Sequence, residues 1–228
     1  MKKLFSICVV AVLCIFTAME VNAQKSKSFA GTIKFSVKYE GDIDPQKHVP
    51  TEFVLSIFGN KQKISIPEQY FQQIMDGDAV TSTVLLDIPG NRMGYVVKKE
   101  VIDENFSTKK YTYTKSEETK TICGYVCTRY DVTIFDVEED EETKAVVYTS
   151  TEVGENNNIN SLSFPGLAGY PLYIEEEDDG IKQIQEAIEI KKTKIKAVEF
   201  LIPNDYTLYD SQEEFQAKIQ EVFGGGGE

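Results

Sequence analysis

Cys123 and Cys127 are the residues best equipped for covalent chemistry in the body of the chain, with only Gly124-Tyr125-Val126 between them. In a straight strand, four steps of about 3.3 Å hold their α-carbons roughly 13 Å apart. A disulfide needs less than about 7 Å. A Cys123–Cys127 bridge therefore demands a turn or bulge, which Gly124 can supply. A pair of free thiols is the other reading, and both stand at this point. The spacing is not the Cys-x-x-Cys of thioredoxin-like enzymes.

The single histidine, His48, stands just before Val49-Pro50. Any histidine-dependent triad would have to use it, yet no G-x-S-x-G elbow accompanies it, and it reads as a solvated loop residue. One histidine and two close cysteines fall short of the four ligands of a zinc site. From Glu175 to Glu186 acids occupy the first, third and fifth places, Gly180 the sixth and Glu186 the twelfth, a partial copy of a calcium loop. The copy starts on glutamate rather than aspartate, lacks flanking helical patterns and carries Lys182 after the seventh place, so a solvated acidic turn is the better reading. Asp136 to Glu142 reads as a charged hairpin tip that resists edge aggregation. There is no phosphate-binding loop or dinucleotide fingerprint. The chain thus offers no catalytic motif, and neither a cofactor nor a metal is expected.

The N-terminus speaks to compartment. Met1-Lys2-Lys3 precedes an apolar run of 13 residues, Leu4–Phe16, and a more polar stretch ending Val21-Asn22-Ala23. This is the three-part plan of a secretory signal peptide, and the run is shorter than the roughly 20 residues that span a bilayer. Cleavage is expected between Ala23 and Gln24. The residues before Cys8 and Cys14, Ile7 and Leu13, do not suit lipidation. Removing 23 of 228 residues leaves 205, a length that suits one domain. The expected division is residues 1–23 as leader, 24–223 as one β-rich domain and 224–228 as a flexible glycine-rich tail. The compartment would be the periplasm or the exterior.

Subtracting Lys2, Lys3 and Glu20 from 24 basic and 37 acidic residues leaves 22 and 36, a net of −14. Such a chain gains nothing from counterion release on a polyanion. Nucleic acid and anionic membrane surfaces are therefore not expected partners, and no membrane segment follows the leader.

Most of the domain reads as short strands. Phe29, Gly31, Ile33, Phe35, Val37 and Tyr39 alternate with polar residues. Thr51 to Phe58 turns at Gly59-Asn60 into Lys61 to Ile66. Pro67 to Met75 is expected as a short helix, with Ser65 as a cap and Gly77 as a stop. Thr81 to Ile88 and Arg92 to Lys99 form a hairpin about Pro89-Gly90-Asn91. A strand at Tyr111 and Tyr113 leads into a charged turn at Ser116 to Lys120. Thr121 to Phe135 is expected as one long strand, paired through the acidic tip with Ala145 to Glu152. Loops follow at Gly154 to Asn160 and Ser163 to Gly169. Tyr170 to Glu175 is a strand, and Gly180 to Ile195, whose isoleucines fit both periods, is taken as a long strand. Ser211 with Glu214 is a capping box that starts a C-terminal helix with Phe215, Ile219, Val222 and Phe223 on one face.

Four segments occur in order between Cys123 and Tyr206: Cys123-Gly124-Tyr125-Val126-Cys127-Thr128-Arg129-Tyr130, Val147-Tyr148-Thr149-Ser150-Thr151-Glu152, Gly169-Tyr170-Pro171-Leu172-Tyr173-Ile174-Glu175 and Phe200-Leu201-Ile202-Pro203-Asn204-Asp205-Tyr206. In them the chain resembles a family of secreted Gram-negative envelope domains of unknown function, similar in fold to the outer-membrane lipoprotein carriers LolA and LolB. The resemblance implies a mainly β, α+β fold: a strongly curved antiparallel sheet forming an unclosed half-barrel, with a few helices over it. It also implies that Pro203 ends a strand, and it assigns no catalytic residue. Cys123 and the C-terminal helix with its glycine tail depart from a simple carrier.

Twelve tyrosines and thirteen phenylalanines, with no tryptophan, give such a sheet much apolar surface. Where helices do not cover it, a groove for an apolar ligand such as a lipid or acyl chain would remain. Phe35, Val37, Phe53, Leu55 and Tyr125, at alternating strand positions, are its candidate lining. The alternative is a closed core, with the protein acting as a structural or interaction component of the cell envelope.

Overall fold

A computed structural model describes residues 29–42, 49–66, 70–153, 164–178 and 180–224. The leader, His48, the loop at Gly154 to Asn160 and the final glycines lie outside the described residues.

The N-terminal half is a meander of β1 (Ala30–Glu40), β2 (Glu52–Phe58), β3 (Lys61–Ile66), β4 (Phe71–Asp76), β5 (Thr81–Ile88) and β6 (Asn91–Val97). After α1 (Lys99–Ser107) a second meander follows: β7 (Lys109–Ile122), β8 (Tyr125–Asp136), β9 (Glu141–Ser150), β10 (Tyr170–Asp178) and β11 (Ile181–Lys192). The chain closes with a 3-10 turn at Ala197–Phe200, a short β12 (Thr207–Tyr209) and α2 (Gln212–Gly224). All twelve strands make one unclosed sheet in the order β12-β6-β5-β4-β3-β2-β1-β11-β10-β9-β8-β7. The two meanders join where β1 pairs with β11, Ile33 opposite Ile190. Every pairing is antiparallel except that of β12 with β6.

This order forces the sheet to bend. From β6 to β7 there are ten inter-strand steps, about 48 Å if the sheet were flat. The connection between them is the nine-residue α1 with one residue on either side. At 1.5 Å per helical residue it spans at most about 27 Å. The two ends of the meander must therefore curl toward each other.

Side chains sort accordingly. Ile33, Phe35, Leu55 and Ile57 alternate with polar residues on β1 and β2 and are buried on the inner face. They share one cluster with Tyr148, Tyr170, Leu172 and Ala187 from the second meander. Val132, Ala145 and Val147 are covered by Phe164 and Leu167. A third cluster lies on the outer face, where Ile74 and Leu85 pack under Ile195 and Phe200, with Phe58, Ile202 and Tyr206 at its margin. The chain beyond β11 thus straps the back of β2 to β5. It then adds β12 to β6 and docks α2 through Phe215, whose ring lies 4.9 Å from that of Tyr95. The backbone N–H of Glu214 donates to the Ser211 hydroxyl at 3.2 Å, as the capping box requires.

Four expectations are corrected. Phe71 to Met75 is strand, not helix: Tyr70 turns the chain with φ 54°, and β4 then pairs with both β3 and β5. Its apolar residues look helically spaced because both faces are covered, Met75 inside and Ile74 under the strap. Ser116 to Lys120 is no turn but a bulge within β7, where the register shifts between Lys115 and Thr119. Thr121 to Phe135 is two strands, broken at Cys123-Gly124, whose φ values of 49° and 85° make a two-residue type I′ hairpin turn. Pro203 ends no strand; Phe200 closes a 3-10 turn, and Asn204-Asp205 turns the chain toward β12. The helix α1 buries Ile102, while Val101 beside it is exposed.

Phe200 holds the strap. Phe200→Ala is expected to cost about 3–5 kcal/mol of stability and to speed amide exchange in β4 and β5 more than in β8 and β9. Denaturant unfolding and hydrogen-exchange NMR check both.

Candidate functional site

The inner face of the bend contains a pocket of about 100 Å³. Phe35, Phe53 and Leu55 form one wall, from β1 and β2, with Ile64 of β3 and Met75 of β4 beside them. Phe164, Pro171 and Ile174 of the second meander close the far side. Phe35 and Phe53 are cross-strand partners and their rings stack at 4.8 Å, only 12° from parallel. Polar groups enter at two points, Gln62 and Gln185. The buried Tyr170 hydroxyl donates to Gln62 Oε1 at 2.9 Å. This bond joins β10 to β3, four strands apart in the sheet order. On a flat sheet that separation would be about 19 Å, beyond the reach of the two side chains. Burial pushes the Tyr170 phenol upward, so it stays a neutral donor. Gly169 allows Tyr170 to arrive there: its φ is +79°, and a Cβ would sit 2.9 Å from the Ser150 carbonyl carbon.

Three of the five residues expected to line a groove, Phe35, Phe53 and Leu55, therefore meet at this pocket. Val37 is buried on the same strand, further along, and is not part of this pocket's lining. Tyr125 packs on the main cluster from the β7–β8 hairpin, with Lys192 Nζ 5.6 Å from its ring centre. Gln62, Gln185 and Tyr170 were not legible as site residues, because polar alternation on β3 and β11 reads as a solvated face. Phe35 and Leu55 are only 3% and 1% exposed, so the protein's own side chains fill most of the inner face.

Cys123 and Cys127 are free thiols. The hairpin turn explains why. Cys123 is in the turn itself, while Cys127 lies two strand steps beyond the Ile122–Tyr125 pair that flanks it. Their α-carbons are thereby held about 10 Å apart, beyond disulfide reach. Cys123 instead donates its S–H to the Ala187 carbonyl at 3.2 Å. Burial pushes the Cys127 thiol up to about 11. Burial, then Glu186 and Glu189, raise Cys123. Neither is a thiolate nucleophile near neutral pH.

On the outer face, ion pairs and tyrosines form a second network. The Tyr148 hydroxyl donates to Glu118 Oε1 at 2.5 Å, and Arg129 donates to Glu118 Oε2 at 2.9 Å and Asp131 at 2.8 Å. Tyr173 donates to Glu175 at 2.5 Å, and Lys182 closes on the same carboxylate at 2.7 Å. The first and twelfth acids of the calcium-like stretch are therefore each tied to a lysine, Glu175 to Lys182 and Glu186 to Lys120. The stretch is a hairpin rather than a loop of converging oxygens. No group of three or more metal-ligating side chains occurs among the described residues. Tyr148 and then Arg129 hold Glu118 below its usual range, and Lys182 and then Tyr173 do the same for Glu175. Asp76 is also lowered: burial opposes the shift, and hydrogen bonds from Lys61 and the Ala79 and Asp78 amides outweigh it. Acids held down and phenols held up keep their ordinary charge at neutral pH. A general base needs the reverse.

No protein-family model and no curated protein matches the chain. No described helix is long and apolar enough to cross a membrane.

Maleimide is expected to label Cys123 in the folded protein, with a pH profile displaced above that of an ordinary thiol, and Cys127 only after unfolding; mass spectrometry of peptides reads both. The lowered carboxyls make a second expectation. Their stabilisation is complete above the unfolded value near 4.5 and is lost as pH falls through the lower folded value. Unfolding free energy should drop below about pH 5, and less steeply in Glu175→Gln.

Proposed function

We propose that this chain is a secreted, non-enzymatic binding protein of the cell envelope, and that the pocket on the inner face of its half-barrel receives a small apolar group, such as the end of an acyl chain. The observation that carries the reading is the pocket itself, where aromatic and aliphatic side chains from β1 to β4 face Phe164 and Ile174 around unfilled space. Its volume sets the size of the guest. About 100 Å³ is less than the roughly 150 Å³ cavity that takes benzene. The guest gains roughly 25 cal/mol per Å² of apolar surface it buries, and Gln62 and Gln185 at the wall disfavour a longer uninterrupted chain. The leader-like N-terminus supports the compartment, and the four segments that resemble carrier-like envelope domains are consistent with the curved sheet.

A second reading is favoured by one observation. The near-complete burial of Phe35 and Leu55, in a space below the roughly 300 Å³ of ordinary ligand pockets, suits a closed core whose partners dock on the surface.

Native mass spectrometry of protein purified from its own envelope, followed by titration with decanoate monitored at the Ile64 and Met75 methyls, separates the two. Retained apolar molecules, or methyl shifts abolished by the pocket-filling Ile64→Phe, support the first. No retained molecule and unmoved methyls establish the second.

A further inference from the structure

Apart from the pocket, the chain leaves one sheet edge open in an unusual electrostatic state. β7 ends the sheet on its side, and among the described residues no strand pairs with its outer edge. In antiparallel pairing every second residue of such a strand turns its N–H and C=O away from the neighbour. The straight part, Lys109 to Lys115, carries three lysines and no acid, within a chain of net charge −13. Both arginines, Arg92 and Arg129, and several lysines on other strands or parts of β7, among them Lys61, Lys120 and Lys182, close on carboxylates. Lys109, Lys110 and Lys115 are exposed and form no ion pair among the described residues. Asp136, opposite Lys109, is engaged instead by the amides of Glu138 and Glu139 at 3.0 and 3.3 Å.

We propose that the Lys109–Lys115 edge of β7 is a docking strand for an acidic, extended segment of another protein, which adds to the sheet as a further strand. The edge has the length, composition and charge for this. Seven residues span about 23 Å, a typical strand. Tyr111 and Tyr113 stack at 6.3 Å on one face, and Thr112 and Thr114 alternate with them on the other. Both sets suit β-branched or aromatic neighbours across a strand pair. The bulge after Lys115 ends the straight edge and sends the hairpin back over the sheet, where Lys120 meets Glu186. A second copy of this chain does not fit: antiparallel self-pairing about Thr112 sets Lys109 against Lys115, and like charges directly opposite repel. Edge lysines also guard against indiscriminate pairing; here they leave a charge-matched strand as the permitted guest. The proposal is independent of the inner pocket.

The full-length secreted domain, isotope-labelled, is titrated with a synthetic peptide alternating glutamate and valine. Binding should slow amide exchange across Lys109–Lys115, leave the Ile64 and Met75 methyls unmoved and weaken as salt rises. Replacing all three lysines by glutamate should lower affinity at least about tenfold, and replacing them by glutamine should lower it less. The same peptide methylated at alternate backbone nitrogens should not bind. Equal binding of the methylated peptide, unchanged exchange along β7, or a concentration-dependent homodimer through that edge would overturn the proposal; should the glutamate variant not fold, the glutamine variant and the methylated peptide decide it.

Discussion

Tyr170 reaches across three intervening strands to Gln62, and that single bond states the constraint under which the rest of the molecule is built. A sheet this wide, with its ends tied by the short α1 connection, has to curl. Once curled, its inner face becomes a dry space too narrow to leave empty, and large side chains crowd it. The hydrogen bond satisfies the polar atoms that the curl would otherwise strand in that space, where an unpaired group is costly. The pocket beside it is what remains when Phe35, Phe53, Leu55 and Phe164 meet without quite closing.

Curling also moves a problem to the back of the sheet. Strands bent around an inner core present a wide convex surface, and on β4 and β5 that surface includes Ile74 and Leu85. The C-terminal strap answers this by laying Ile195 and Phe200 over them. On β8 to β11 the answer is polar: Arg129, Lys120 and Lys182 meet Glu118, Glu186 and Glu175 over a floor of tyrosines. Half-exposed pairs of this kind contribute little individually. Their chief effect is to keep an acidic chain from repelling itself along adjacent strands.

Much of the fold was legible because β1 and β2 have one wet face and alternate clearly. The hairpins at Gly59-Asn60 and Pro89-Gly90 carried their turn chemistry in the sequence. Legibility failed where both faces of a strand are covered, as on β4, and where a helix serves as a tether rather than as core, as with α1. It failed again at Cys123, since a cysteine at φ 49° is an uncommon choice for a type I′ turn. Phe35, Phe53 and Leu55 could be placed on one inward face from sequence because they obey alternation. The polar half of the pocket could not, because a glutamine that faces inward across a bend looks, in sequence, like any solvated one.

The strap has a temporal side. β1 finds its partner β11 some 150 residues later, as the Ser36–Glu186 contact records, and the back of β4 stays bare until Phe200 arrives. The first meander therefore cannot mature alone: it waits, with oily patches on both sides, for the last stretch of polypeptide. Assembly governed by such distant pairings is slow, and it rewards delivery of the finished chain over folding as it emerges.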